Sequence, residues 1–306
     1  MSRYAAIDVG TNSVLLLVAE RTAAGRFEAV LERAEITRLG RGVDQSRRLR
    51  PEAIEDTLAV LEAYVSEARE LGAKDIVVSA TSAARDAENG REFLDGAKAR
   101  CGVSVEIISG DEEARLSFAS AFADFGGKGP LVVLDIGGGS TEFVFGDGGG
   151  NVSFRRSFDV GSVRLTERHV HADPPTADEL TRISVALKET FTAVPPPRPG
   201  TRLVAVAGTA TTLCAVARGI EPYDAARVHG AVLTRAEVEQ TVDRLAALPL
   251  GLRRTVPGLE PRRADVIVAG GLVLRAAMDA LDAAEVTISD RGLRWGLLVD
   301  RFSARP

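Results

Sequence analysis

Two stretches of the chain share one pattern of apolar and polar positions. In the first, Ala5-Ala6-Ile7-Asp8-Val9 leads through Gly10-Thr11-Asn12-Ser13 into Val14-Leu15-Leu16-Leu17-Val18. In the second, Val132-Val133-Leu134-Asp135-Ile136 leads through Gly137-Gly138-Gly139-Ser140 into Thr141-Glu142-Phe143-Val144. Each predicts a strand, a tight turn and a second strand. One Asp-x-Gly turn alone is weak, because both residue types are ordinary in turns. Two of them, each running straight into another apolar strand, predict two matching halves of an α/β protein.

The rest of the pattern fills in those halves. A third strand is expected over residues 27–36, after a hairpin turn at Ala24-Gly25. Pro51 opens a helix whose apolar positions Ile54, Leu58, Leu61, Val65, Ala68 and Leu71 recur at helical spacing, and Gly72 closes it. Strands over 74–80 and 103–108 each deliver a polar segment at their carboxyl ends, where open α/β sheets place ligand-contacting loops. The first segment carries Arg85, the second Asp111-Glu112-Glu113. Gly126-Gly127-Lys128-Gly129-Pro130 is the clearest break in composition, so the expected domains are 1–126 and 127–306, with the last helix packing back on the first domain. Beyond the break the pattern predicts a strand over 202–206, helices over 235–247 and 262–281, a strand over 285–289 and a helix over 293–302.

Composition narrows the class. A chain of 306 residues can bury a large core and as a prior holds about two domains. The net charge of −5 gives no general basic footprint, so a nucleic-acid partner is not expected. No charged region, apolar core and cleavage site succeed one another after Met1, and no apolar run approaches the length of a bilayer span, so the expected setting is the cytoplasm, without a membrane partner. Cys101 and Cys214 read as small buried hydrophobes, and His169 and His171 lack a nearby third metal ligand.

The chemistry follows from the two turns. Glycines at 137–139 are expected to take positive φ and to line up backbone amides as an anion nest, with Ser140 and Thr141 adding hydroxyls. Asp135, at the end of a buried strand, is costly there unless a metal or donors pair it. Phosphate with a divalent cation fits both demands, and Asp135, Glu142 and Asp8 are the candidate ligands, for Mg²⁺ first and Mn²⁺ second. Gly10, Thr11, Asn12 and Ser13 form the opposing phosphate turn, and Arg85 adds a planar, always charged fork. Gly208 and Thr209 sit where a helix begins, a position that suits an anion or simple capping by Thr209 or Thr211. The arginine clusters 47, 48, 50 and 253, 254, 262, 263 could guide a polyanion or lie on solvated surface.

Asp135 to Glu142, together with Ile107-Ile108-Ser109-Gly110-Asp111-Glu112-Glu113-Ala114-Arg115-Leu116, resembles the exopolyphosphatase and guanosine pentaphosphate phosphatase (Ppx/GppA) family. The likeness runs from Ile7 to about Leu298. It implies two ribonuclease-H-like domains of the actin-like ATPase superfamily with an interdomain cleft, and Glu113 as the base that activates water. It also implies a homodimer that removes terminal phosphate from inorganic polyphosphate. Guanosine pentaphosphate is the alternative substrate. A nucleotide-binding regulator or a small-molecule kinase of the same superfamily are the alternatives outside hydrolysis. Thr11 stands where the family often has serine, which preserves the hydroxyl. The long helical C-terminal region of larger members has no counterpart before Pro306, so processive action on very long polyphosphate is not expected.

Overall fold

The computed structural model describes residues 2–303. It divides into two units, one of Met1–Leu116 with Leu293–Pro306 and the other of Ser117–Gly292. The first is built from β1 (Ser2–Val9), β2 (Ser13–Arg21), β3 (Phe27–Ile36), α1 (Val43–Ser46), α2 (Pro51–Glu70), β4 (Ala73–Ala80), α3 (Ser82–Asp86), α4 (Gly90–Cys101), β5 (Val105–Ile107) and the start of α5 (Gly110–Phe125). The second holds β6 (Leu131–Ile136), β7 (Thr141–Gly146), β8 (Val152–Phe158), α6 (Ser162–His169), α7 (Ala177–Phe191), β9 (Arg202–Val206), α8 (Ala207–Arg218), α9 (Ala225–Val228), β10 (Val232–Thr234), α10 (Arg235–Ala246), α11 (Leu250–Arg253), α12 (Ile267–Ala280) and β11 (Glu285–Ile288). Helix α13 (Leu293–Phe302) returns to the first unit.

Both sheets follow one plan. In the first the order is β3-β2-β1-β4-β5, with β1, β2 and β3 an antiparallel meander and β4 and β5 added in parallel. In the second, β8-β7-β6-β9-β11 repeats that order and those directions, and β10 is appended antiparallel at the edge. The alternation of β1 decides where its side chains go. Ala5, Ile7 and Val9 join the core beneath α2 and α4, whereas Tyr4 and Ala6 join a second core with Leu116 and the apolar face of α13. Tyr4 stacks on Phe302 at 4.6 Å between ring centroids. In the second unit Val132, Leu134 and Ile136 of β6 face the main core, which leaves Asp135 on the other side of the sheet.

The division at Leu116/Ser117 falls inside α5, ahead of the composition break at 126–130. Within that helix Leu116 packs in the first unit's core, while Ser117 hydrogen-bonds a strand of the second and Phe118 covers Gly146. Two expected elements differ in the structure. Part of the segment 81–87 winds into the short helix α3. The single helix expected over 262–281 is instead a 3₁₀ turn, Pro261–Arg263, followed by α12 from Ile267. Arg253 explains the break: its Nη1 donates to Ala264 O, which a continuous α-helix would present to Val268 N.

Candidate active site

The two turns close in the same way. Val9 pairs with Val14 across the first hairpin and Ile136 with Thr141 across the second. Gly10 N donates to Ser13 O at 2.9 Å, and Gly137 N donates to Ser140 O at 3.0 Å. A Cβ on Gly10 would lie 3.1 Å from Ser13 O, and one on Gly137 3.0 Å from Ser140 O. None of Gly10, Gly137, Gly138 and Gly139 adopts positive φ, contrary to the expectation from sequence. At Gly10 and Gly137 an added Cβ would press on the turn's own carbonyl, which would have to shift by a few tenths of an ångström.

What holds each turn is a segment from later in its unit. In the first, Thr37 N and Arg38 N donate to Asn12 O at 3.1 and 3.0 Å, and Gly40 N donates to Thr11 O at 2.8 Å. In the second, Ser162 N donates to Gly137 O, and Val163 N and Arg164 N both donate to Gly138 O. Arg164 Nε donates to Gly139 O at 2.7 Å. Gly161 makes this approach possible, because a Cβ there would sit 2.6 Å from the carbonyl carbon and oxygen of Gly138. With the carbonyls tied down, the amides of Thr11 and Asn12, and those of Gly138, Gly139 and Ser140, have no backbone acceptor among the described residues. Ser140 Oγ is also buried without a hydrogen-bond partner among them. Thr141, grouped with this turn by sequence, donates its hydroxyl to Val160 O at 2.7 Å.

Beside the second turn stands a carboxylate pair. Asp135 and Glu142 are direct partners in the β6–β7 register and both are buried. Opposed side chains on antiparallel strands lie roughly 5 Å apart at Cβ, and like charges there repel. Each carboxylate has its own serine: Ser117 Oγ donates to Asp135 Oδ2 at 2.5 Å, and Ser157 Oγ donates to Glu142 Oε1 at 2.7 Å. Burial pushes the Asp135 carboxyl up to about 6, against the hydrogen bond from Ser117. A hard divalent cation fits this oxygen pair and would relieve both burial and repulsion. Asp8, the corresponding residue of the first unit, faces Leu15 on one side and Ser79 on the other, so no second carboxylate opposes it.

The first unit also brings together Arg85 and Glu113. Glu113 lies in the first turn of α5, is 6% exposed, and its Oε2 is 3.4 Å from Arg85 Nη1. The same Arg85 nitrogen donates to Ile108 O at 3.0 Å, which holds the guanidinium against the loop before α5. Glu112 is engaged differently. Arg115 Nε and Nη2 donate to its two oxygens at 2.8 and 2.7 Å, and that fork holds the carboxyl below its usual range. Thr11 Oγ1 and Ser82 Oγ, 2.7 Å apart, tie the first turn to α3.

The remaining sequence candidates are structural in part. Helix α8 begins after Val206 with no side-chain cap, so neither Thr209 nor Thr211 caps it, and Ala207 takes φ 69°. A Cβ on Gly208 would lie 2.0 Å from Arg263 Nη1, and one on Gly270 2.7 Å from Thr209 Cγ2. Gly270 and Gly271 therefore serve the close packing of α12. Arg253, one of the arginines considered for guiding a polyanion, is 3% exposed and donates to Leu245 O, Leu248 O and Ala264 O. Among the described residues no cluster of three or more His, Cys, Asp or Glu side chains forms a metal site, and both cysteines are free and buried. The sequence reading passed over Ser117, Ser157, Gly161 and Arg164. The visible signal was Gly161-Ser162-Val163-Arg164 itself, a glycine between a strand and a helix with an arginine three residues on.

Known proteins place this geometry. The sequence model of the Ppx/GppA phosphatase family matches residues 17–304. The chain is 39% identical over 313 residues to a Mycobacterium tuberculosis H37Rv protein named Exopolyphosphatase 2, covering 95% of this chain and 97% of that one. A crystal structure of the Aquifex aeolicus Ppx/GppA family member superposes with a TM-score of 0.82 at 35% identity, over 98% of this chain and 97% of that one. An exopolyphosphatase from Cytophaga hutchinsonii shares the fold at a TM-score of 0.89 and 24% identity, over 98% of this chain and 97% of that one. With both sheets built on one plan and the family matched over nearly its whole length, the chain belongs to the Ppx/GppA phosphatase family, with its two actin-like domains.

Proposed function

We propose that this protein is an exopolyphosphatase that hydrolyses the terminal phosphoanhydride of inorganic polyphosphate and releases orthophosphate. The observation that carries the reading is the repeated turn, whose carbonyls are bonded from behind while its amides have no backbone acceptor. The 39% identity to a protein named Exopolyphosphatase 2 supports the substrate.

Hydrolysis of a phosphoanhydride needs the phosphoryl group held, its charge offset, and a water aligned in line. In this reading the amides of Gly138, Gly139 and Ser140, with those of Thr11 and Asn12, bind phosphoryl oxygens. Asp135 and Glu142 would hold Mg²⁺ or Mn²⁺, and the cation would supply neutralisation of phosphate charge. Asp8 is the third candidate ligand and would bind the cation directly or through water. Glu113 accepts the proton of the attacking water, and Arg85 orients that carboxylate and offsets phosphate charge. Gly208 and Thr209, at the start of α8, add further phosphate contacts in this reading. The same reading places the enzyme in the cytoplasm as a homodimer. Among the described residues no helix is long and apolar enough to cross a membrane.

Glu113→Gln keeps the shape of the side chain and removes the base. A positioned general base contributes about 10²- to 10⁴-fold, so phosphate release from polyphosphate is expected to fall by that factor while polyphosphate binding persists. Release at the wild-type rate from the variant would remove Glu113 from the reaction.

A further inference from the structure

The two turns are fastened by the same logic with different parts, and the difference exposes one side chain. In the first unit, Asn12 O is held by two main-chain amides, those of Thr37 and Arg38. At the matching place in the second unit, Gly139 O receives the Nε of Arg164 at 2.7 Å. In a planar trans peptide the C=O of one residue and the N–H of the next point in opposite directions. The bonds from Ser162 N to Gly137 O and from Val163 N and Arg164 N to Gly138 O therefore turn the amides of Gly138 and Gly139 away from α6. Arg164 does the same for the amide of Ser140. That amide has no backbone acceptor among the described residues, and Ser140 Oγ is buried without a hydrogen-bond partner among them.

We propose that Arg164 is a positioning residue for phosphate binding: its grip on Gly139 O aims the Ser140 amide at the phosphoryl oxygens, making it the third donor of the nest. The residue is buried, 8% exposed, and its side chain rises from the first turn of α6, which Gly161 lets dock directly on the glycines. Helix α6 is then part of the binding apparatus although none of its own first-turn amides need touch substrate, since those of Ser162, Val163 and Arg164 are occupied by the turn.

The proposal rests on the phosphate-binding reading of the turn but not on the identity of the substrate, and its test separates the two. Tripolyphosphate binding is measured by calorimetry with Ca²⁺ in place of Mg²⁺, for the wild type, Arg164→Ala and Arg164→Lys, with thermal unfolding of each in parallel. A hydrogen bond to a charged partner accounts for about 10- to 100-fold in affinity, so Arg164→Ala is expected to bind that much more weakly. Its KM for polyphosphate should rise by more than its kcat falls, and added guanidinium should restore part of the affinity. Arg164→Lys, which retains a donor, should fall between the two and covers the case in which the alanine variant fails to fold. Unchanged tripolyphosphate affinity in a folded Arg164→Ala, or equal weakening of both variants with no rescue, would overturn the proposal. Wild type that binds no tripolyphosphate overturns it together with the anion-nest reading. Wild type that binds tripolyphosphate but releases no phosphate from polyphosphate sinks only the proposed activity.

Discussion

At the level of single residues, the glycines of 137–139 keep the expected turn but not the expected backbone. The obvious rationale for such a run is left-handed backbone. The structure gives these glycines no positive φ. Gly137 is crowded by Ser140 O, and Gly161, which the sequence presents only as the entry to a helix, by the peptide of Gly138. A close approach between residues more than twenty positions apart leaves no local trace in sequence, so this half of the site was not legible. Gly161→Ala would place its Cβ 2.6 Å from main-chain atoms that cannot rotate away. The expected outcome is a folded protein destabilised by about 1–3 kcal/mol, with KM for polyphosphate raised at least about tenfold as the turn is pushed off α6. Arg253 teaches the same lesson from the other side. Its place in an arginine cluster suggested surface, yet three carbonyls from two segments enclose it.

At the level of elements, the hairpins and α2 were legible because their cues are local: period, Pro51, Gly72 and paired apolar runs. The start of α7 is local too. Thr176 and Glu179 form a capping box, and Glu179 also accepts from His171 N and Ala172 N at 2.8 and 3.1 Å. The Thr176 amide and then that of His171 hold its carboxyl down at about 2. A depressed carboxylate contributes stability that is present above its unfolded value, about 4.3, and is lost as pH falls from there through the folded value. Melting temperature should therefore drop between pH 4.5 and 2 more steeply for wild type than for Glu179→Gln, which lacks this contribution throughout; parallel curves would show that the amides add nothing to the ionised form. The missed break before α12 has a non-local cause, since the carbonyl that ends the helical pattern is taken by Arg253 eleven residues earlier.

At the level of the whole molecule, two copies of one sheet plan make the repeated Asp-x-Gly pattern intelligible: each aspartate ends the central strand of its sheet, and each turn follows it. The units are not equivalent in chemistry. The carboxylate pair belongs to the second, where Glu142 opposes Asp135, while Leu15 opposes Asp8 in the first. The first holds the Arg85–Glu113 contact instead. That difference in residue types was visible in the sequence once the strands were paired. The limits of the units were not, because the division lies within the uninterrupted helix α5. The most direct test of the account is orthophosphate release by the purified protein with Mg²⁺ from short polyphosphate, with long polyphosphate and guanosine pentaphosphate in parallel. Release from polyphosphate that is lost in Glu113→Gln is the expected result. Release from guanosine pentaphosphate alone, or from none of the three, would contradict it.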